Sequence, residues 1–195
     1  MYKPGLIILL VFISILFEVQ ADNNQNVKEE KPAESFNKLN FTGPGFKELG
    51  FTEVGNAKFT FLFWDIYHST LYTKSGSYIP ENPPAELIFE IEYLKDITAA
   101  DLLERTIEQW QHLGFSKAQY NQFIPKLKAI WPDIYAGDKL ALSVQDNKSI
   151  FYFNNLKVGV IERAEFSQLF LAIWLSEKTS EPELKAELLG ENIDE

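Results

Sequence analysis

Residues 139–161 limit most tightly what this chain can fold into. From Lys139 to Val144 the apolar positions Leu140, Leu142 and Val144 alternate with other residues, the period of a strand with one buried face. The polar run Gln145-Asp146-Asn147-Lys148 reverses the chain, Ile150 to Phe153 returns, and Asn154-Asn155 precedes a third run from Leu156 to Ile161. Adjacent asparagines suit the positive φ angles of a two-residue hairpin turn. Three short strands joined this tightly form a meander, which is antiparallel by construction.

Upstream, the same reasoning finds more strands. Phe59, Phe61 and Phe63 fall on one side of an extended segment and Thr60, Leu62 and Trp64 on the other, so both faces carry bulk and a central strand is expected. Ile66 to Thr73 continues as a second extended segment up to the turn Lys74-Ser75-Gly76-Ser77. After Pro80 and Pro83-Pro84, Leu87, Phe89, Ile91 and Tyr93 alternate with Glu86, Glu90 and Glu92, a strand with one wet face.

Helices alternate with these strands. Thr98 and Asp101 form a capping arrangement ahead of Leu103, Ile107, Trp110 and Leu113, which repeat at helical spacing up to Gly114. A second helical stretch runs from Ser116 towards Trp131 and is interrupted at Pro125, which lacks the amide a helix interior needs. Between about Arg163 and Leu175, Phe166, Leu169, Phe170, Ile173 and Trp174 make a wide apolar stripe. A last helix is expected from Ser180, with Glu183 completing a capping box and Pro182 in the first turn, to Gly190. Strands, two helices, strands and two helices give an α+β fold: a mainly antiparallel β-sheet with a layer of α-helices packed on it.

The N-terminus reads differently. Lys3, the apolar run from Gly5 to Phe17 and Val19-Gln20-Ala21 make a positive region, a hydrophobic stretch too short to span a bilayer, and a small-residue cleavage site. Residues 1–21 are therefore expected to be a cleavable signal peptide, leaving no stable membrane span and an exported protein. Residues 22–50 are poor in large apolar side chains and read as a flexible leader, residues 51–190 as the domain, and 191–195 as an acidic tail.

Composition removes several function classes. The formal net charge is -10, which repels phosphates and makes nucleic acid a poor partner. With no cysteine and only His68 and His112 as histidines, thiol chemistry and His/Cys metal centres are not expected. There is no glycine-rich phosphate loop and no Gly-x-Ser-x-Gly elbow. Gly43-Pro44-Gly45 reads as a turn, as do Asp133 and Asp138 around Ala136-Gly137. No cofactor is implied. The glycosylation-type triplets at Asn40 and Asn147 are short enough to arise by chance.

Two longer stretches carry a resemblance. The run from Gly55 to Tyr72, with Phe63-Trp64-Asp65-Ile66-Tyr67 at its centre, resembles the first β segment of the chalcone isomerase-like family, particularly its short bacterial exported members. Asn154 to Gly159, Phe166, Ile173-Trp174-Leu175 and Glu181 to Gly190 look like that family's closing strand and helices, and Tyr135 to Asp138 like a turn between. The resemblance covers about Val54 to Gly190. It implies a curved sheet, periplasmic localisation, and a cleft between sheet and helices.

In plant members of the family, an arginine, a threonine, a helical tyrosine and asparagine, and a late hydroxyl surround a flavonoid. The resemblance places Lys58, Tyr67 and Ser167 at the arginine, threonine and late hydroxyl positions. The helix Asp101 to Trp110 carries no tyrosine and asparagine at the required spacing, and a lysine lacks the planar fork of an arginine. Plant-type ring closure is therefore not expected, and no catalytic residue is assigned.

Related non-catalytic members bind fatty acids. By that likeness Lys58, Tyr67 and Ser167 would contact a small apolar or carboxylate ligand, with Phe59, Leu62, Trp64, Phe166 and Phe170 lining the cleft. Residues 58 and 67 point to opposite faces of an unbroken strand, so convergence requires a turn or bulge between Leu62 and Asp65. The alternative is an isomerase using Lys58, Tyr67 or His68 on an unknown substrate.

Overall fold

The structure is a computed structural model and describes Phe46 and residues 49–191. The expected signal peptide, most of the leader and residues 192–195 lie outside the described residues. Six strands form one antiparallel sheet in sequence order: β1 (Thr52–Phe61), β2 (Trp64–Thr73), β3 (Leu87–Tyr93), β4 (Lys139–Gln145), β5 (Lys148–Phe153) and β6 (Leu156–Ile161). Between β3 and β4 stand α1 (Ala99–His112), α2 (Lys117–Tyr120), a 3-10 turn (Asn121–Phe123) and α3 (Ile124–Ile130). After β6 come α4 (Ala164–Leu175) and α5 (Pro182–Leu188).

The meander is as the alternation requires, because both of its turns use residues that tolerate positive φ. Asp146 and Asn147 have φ of 50° and 59°, and Asn154 and Asn155 of 48° and 68°. Pairings Leu87↔Val144, Phe89↔Leu142 and Ile91↔Leu140 put the apolar residues of β3 and β4 on the same face. The helices cover that face.

Trp110 fastens the helical layer. It is buried, stacks on Tyr120 with centroids 5.4 Å apart, and donates its indole N–H to the Leu169 carbonyl at 2.9 Å. A buried indole N–H needs such a partner. Phe151, Phe166, Phe170, Trp131 and Trp174 form a continuous aromatic series between sheet and helices, and each fully buried Phe is worth about 1.5–3 kcal/mol of transfer free energy.

The opposite face of the sheet is polar across much of its centre. Lys139 sits 3.2 Å from both Glu90 and Glu92. A smaller apolar cluster of Phe51, Ile88 and Ala141, with Tyr72 and Tyr152 against it, occupies another part of this face.

Three expectations need correction. β1 is the sheet's edge strand, not a central one; its bulk on both sides reflects α5 packing against it and an exposed hairpin tip. The stretch from Ser116 to Trp131 is two short helices separated by a 3-10 turn, and Pro125 sits in the first turn of α3 rather than inside a helix. The last helix has Glu181, not Ser180, at its N-cap position and no side-chain cap there, so the expected box with Glu183 does not form. Instead of capping, the Ser180 hydroxyl donates to Gln109 Oε1 on α1 at 3.3 Å.

Glycine permits two close contacts that draw the layers together. A Cβ on Gly55 would run into the carbonyl oxygens of Glu187 and Leu188 in α5. One on Gly159 would meet the Ile130 side chain of α3.

Candidate functional site

Where β3 begins and β4 ends, a cleft of about 610 Å³ opens beneath α4. Its walls are the proline-rich β2–β3 connection (Tyr78, Pro83, Pro84), the strand residues Leu87 and Val144, and the α4 residues Ser167, Leu171 and Leu175. The helix presents these three side chains together because positions four apart share a face. Asn147, Gln168 and Ser176 also line the cleft, and none of the lining side chains among the described residues is charged at neutral pH. Ser167 donates its hydroxyl proton to the Ala164 carbonyl at 3.0 Å, leaving oxygen lone pairs as acceptors.

Tyr67 lies on the helix-covered face but elsewhere. It stacks on Phe59 at 5.2 Å, meets the edge of Tyr93 at 6.2 Å, and accepts the Trp174 indole N–H at 3.0 Å. Trp174 and Ser167 are two turns apart on α4, roughly 10 Å along its axis. Burial pushes the Tyr67 phenol well above its ordinary range; the Trp174 bond opposes this and Glu181 adds to it. Tyr93 is raised by burial and then by Tyr67. Both phenols keep their protons at neutral pH, so neither is a base.

Glu181, half-buried beside this group, is raised by burial and further by Glu183. Tyr67, Tyr93 and Trp174 pack together here, with Glu181 near enough to act on the Tyr67 phenol.

Lys58 is not in either place. The register pairs Lys58 with His68 and Phe59 with Tyr67, and cross-strand partners share a face. Since Tyr67 is on the covered face, Lys58 and His68 are on the open one. Lys58 is 47% exposed and bridges Asp65 at 3.1 Å. The hairpin at Leu62-Phe63 and a bulge at Phe59/Thr60 do occur, but they do not bring Lys58 to Tyr67, because residues 58 and 67 stay one register step out of phase.

Of the expected cleft lining, Leu62 and Trp64 are exposed at 55% and 46%, so they are hairpin-tip residues. Phe166 and Phe170 are buried core, and Phe59 packs on Tyr67. The expected Lys58, Tyr67 and Ser167 constellation is therefore not assembled, and only Ser167 lines the cleft. Tyr78, Pro83, Leu171 and Leu175 carry no local mark of the cleft: Pro83 reads as punctuation between strands, and Leu171 and Leu175 fall outside the apolar stripe read from the sequence. No group of three or more His, Cys, Asp or Glu that could hold a metal ion occurs among the described residues.

Comparison with known proteins accounts for the architecture. A protein of Haemophilus influenzae described as uncharacterized is 25% identical over 137 residues, covering 70% of this chain and 67% of that protein. The crystal structure of a fatty-acid binding protein of Arabidopsis thaliana superposes with a TM-score of 0.53 at 10% identity, covering 72% of this chain and 85% of that one. Residues 53–190 match the sequence model of the chalcone isomerase-like proteins. With the six-stranded sheet and its helical layer, that match over most of the chain means that this protein belongs to the chalcone isomerase-like family.

Proposed function

We propose that this protein is a non-catalytic binder of small apolar molecules of the acyl-chain type, exported from the cell, and that the cleft beneath α4 is its ligand site. The observation that carries the reading is the cleft itself: about 610 Å³, walled by Leu87, Val144, Leu171 and Leu175, with only neutral polar side chains at its margin. That volume falls within the range of small-molecule sites, which combine apolar walls with a few polar groups. The similarity to a fatty-acid binding protein supports the ligand class.

Lys58 drops out as a carboxylate anchor. With no cation among the described lining residues, and with a net charge of -10 on the chain, a ligand's acidic head group gains nothing inside and faces water. The hydrocarbon supplies the affinity and Ser167, Gln168, Asn147 and Ser176 hydrogen-bond whatever polar atom lies at the mouth. Export is supported by Lys3, the apolar run 5–17 and Ala21.

The test is extraction of the purified protein followed by mass spectrometry, together with thermal melts in long-chain acids and in the matching alcohols. Ligand at a hundred times its Kd adds about 2.7 kcal/mol, a rise of several degrees for a domain this size. Acid and alcohol should stabilise alike. No extracted acyl compound and no shift with either would overturn the reading.

A further inference from the structure

Three hairpin turns connect neighbouring strands of the sheet, and one of them breaks the chemistry the other two follow. The β4–β5 and β5–β6 turns use Asp146-Asn147 and Asn154-Asn155, all at positive φ, which is the polar pairing such turns favour. The β1–β2 turn instead uses Leu62-Phe63. Leu62 holds φ of 54°, a left-handed conformation that a bulky side chain rarely adopts. Phe63 is 94% exposed, and Leu62 and Trp64 beside it are also exposed.

Consecutive exposed apolar residues at a turn work against solubility unless they serve a purpose. We propose that this hairpin tip inserts into the surface of a lipid bilayer. Leu62, Phe63 and Trp64 project from a convex two-residue turn, a shape that a fluid apolar medium accepts without a matching pocket. Three side chains on a point are far too few for a stable protein interface, which buries on the order of 1,000 Å² or more. Tryptophan also favours the boundary between hydrocarbon and head groups.

The surroundings of the tip suit a zwitterionic membrane. Lys95 Nζ lies 4.5 Å from the Trp64 ring centroid, set back where head-group phosphates would be. Lys58 is matched by Asp65, and Asp96 accepts the Ala136 amide at 2.9 Å. Two cations thus balance two carboxylates, and the tip escapes the repulsion that the chain's net charge of -10 would cause at an anionic surface. Insertion is apolar and little affected by salt.

This inference does not rest on the ligand-binding reading. Leu87, a wall of the cleft, pairs with Thr73 at the far end of β2 from Trp64, roughly 30 Å away at the strand rise.

Vesicles of phosphatidylcholine with brominated acyl chains test it on the whole chain. Residues 5–17 are themselves apolar, so sedimentation would not isolate the tip; quenching of Trp64 does. Trp110 and Trp131 are buried and Trp174 is engaged with Tyr67, so the quenched component should vanish in Trp64→Phe. The double variant Leu62→Gly, Phe63→Ser puts glycine at the position of the turn that holds positive φ and keeps the hairpin, yet should reduce Trp64 quenching at limiting lipid by about tenfold or more. No Trp64 quenching in the unmodified chain overturns the proposal, whether the tip then meets water, a protein or a second copy. Equal quenching in the double variant overturns it too.

Discussion

Trp174 donates its indole N–H to the Tyr67 hydroxyl at 3.0 Å, tying α4 to β2 within the space where the family likeness had suggested a ligand. Tyr67→Phe leaves that part-buried donor without its acceptor, which should cost about 1–3 kcal/mol in a denaturant melt. Trp174→Phe should cost more, since it also removes packing against Phe89 and Phe170. The double variant should lose less than the sum of the two, because the bond is counted in each single variant.

The same phenol has a signature at alkaline pH. Burial holds the folded pKa of Tyr67 and of Tyr93 above their ordinary 10.0. The folded state therefore keeps protons that the unfolded chain releases, and that contribution is fully present below pH 10 and declines above it. Stability measured by urea melts should fall from about pH 10 upward, and Tyr67→Phe should fall less steeply. Parallel slopes would remove Tyr67 from the explanation.

Glu181 should show the same sign at lower pH. Burial first, and Glu183 second, raise its folded pKa above the ordinary 4.5. The folded form binds this proton more tightly, so the favourable contribution is complete below pH 4.5 and is lost as pH rises through the folded value. Glu181→Gln should be more stable than the unmodified protein at pH 7, and the advantage should vanish by about pH 4. An advantage independent of pH would point to packing instead.

Gly55 and Gly159 face two kinds of obstacle. At Gly55 an added methyl meets the backbone oxygens of α5, which cannot step aside without moving the helix. At Gly159 it meets both branches of Ile130, a buried side chain whose χ1 is nearly fixed in a helix, so α3 has to shift as well. Gly55→Ala and Gly159→Ala should each cost about 1–3 kcal/mol, with Gly55→Ala the larger loss because backbone rather than side chain is in the way. Thermal melts of the two variants decide the order.

For the cleft, Ser167→Phe should fill the space beneath α4 and abolish the thermal shift caused by long-chain alcohols. Lys58→Met should leave that shift unchanged, because Lys58 stands on the other face of the sheet in an exposed pair with Asp65. A Lys58→Met variant that lost the shift would restore the lysine as an anchor and displace the ligand site from the cleft.

What the sequence determined by itself was local. Period-two alternation in β3 and β4, paired asparagines before β6, the Thr98 cap, and the stripe on α4 all act within one element or between adjacent ones, so residue type and spacing are sufficient to read them. The family likeness extended that reading to the sheet and its helical layer. The tertiary structure alone decided the rest. Whether Lys58 could meet Tyr67 depended on register across a hairpin, where one residue of phase exchanges the faces of a sheet. That β1 is an edge strand depended on the pairing order of the whole sheet, and its bulky faces on where α5 returns to pack, more than 120 residues later in the chain. The cleft draws its walls from a proline-rich loop, two strand ends and a distant helix, none of which carries a local mark of the others. Long-range packing, rather than residue preference, places them together.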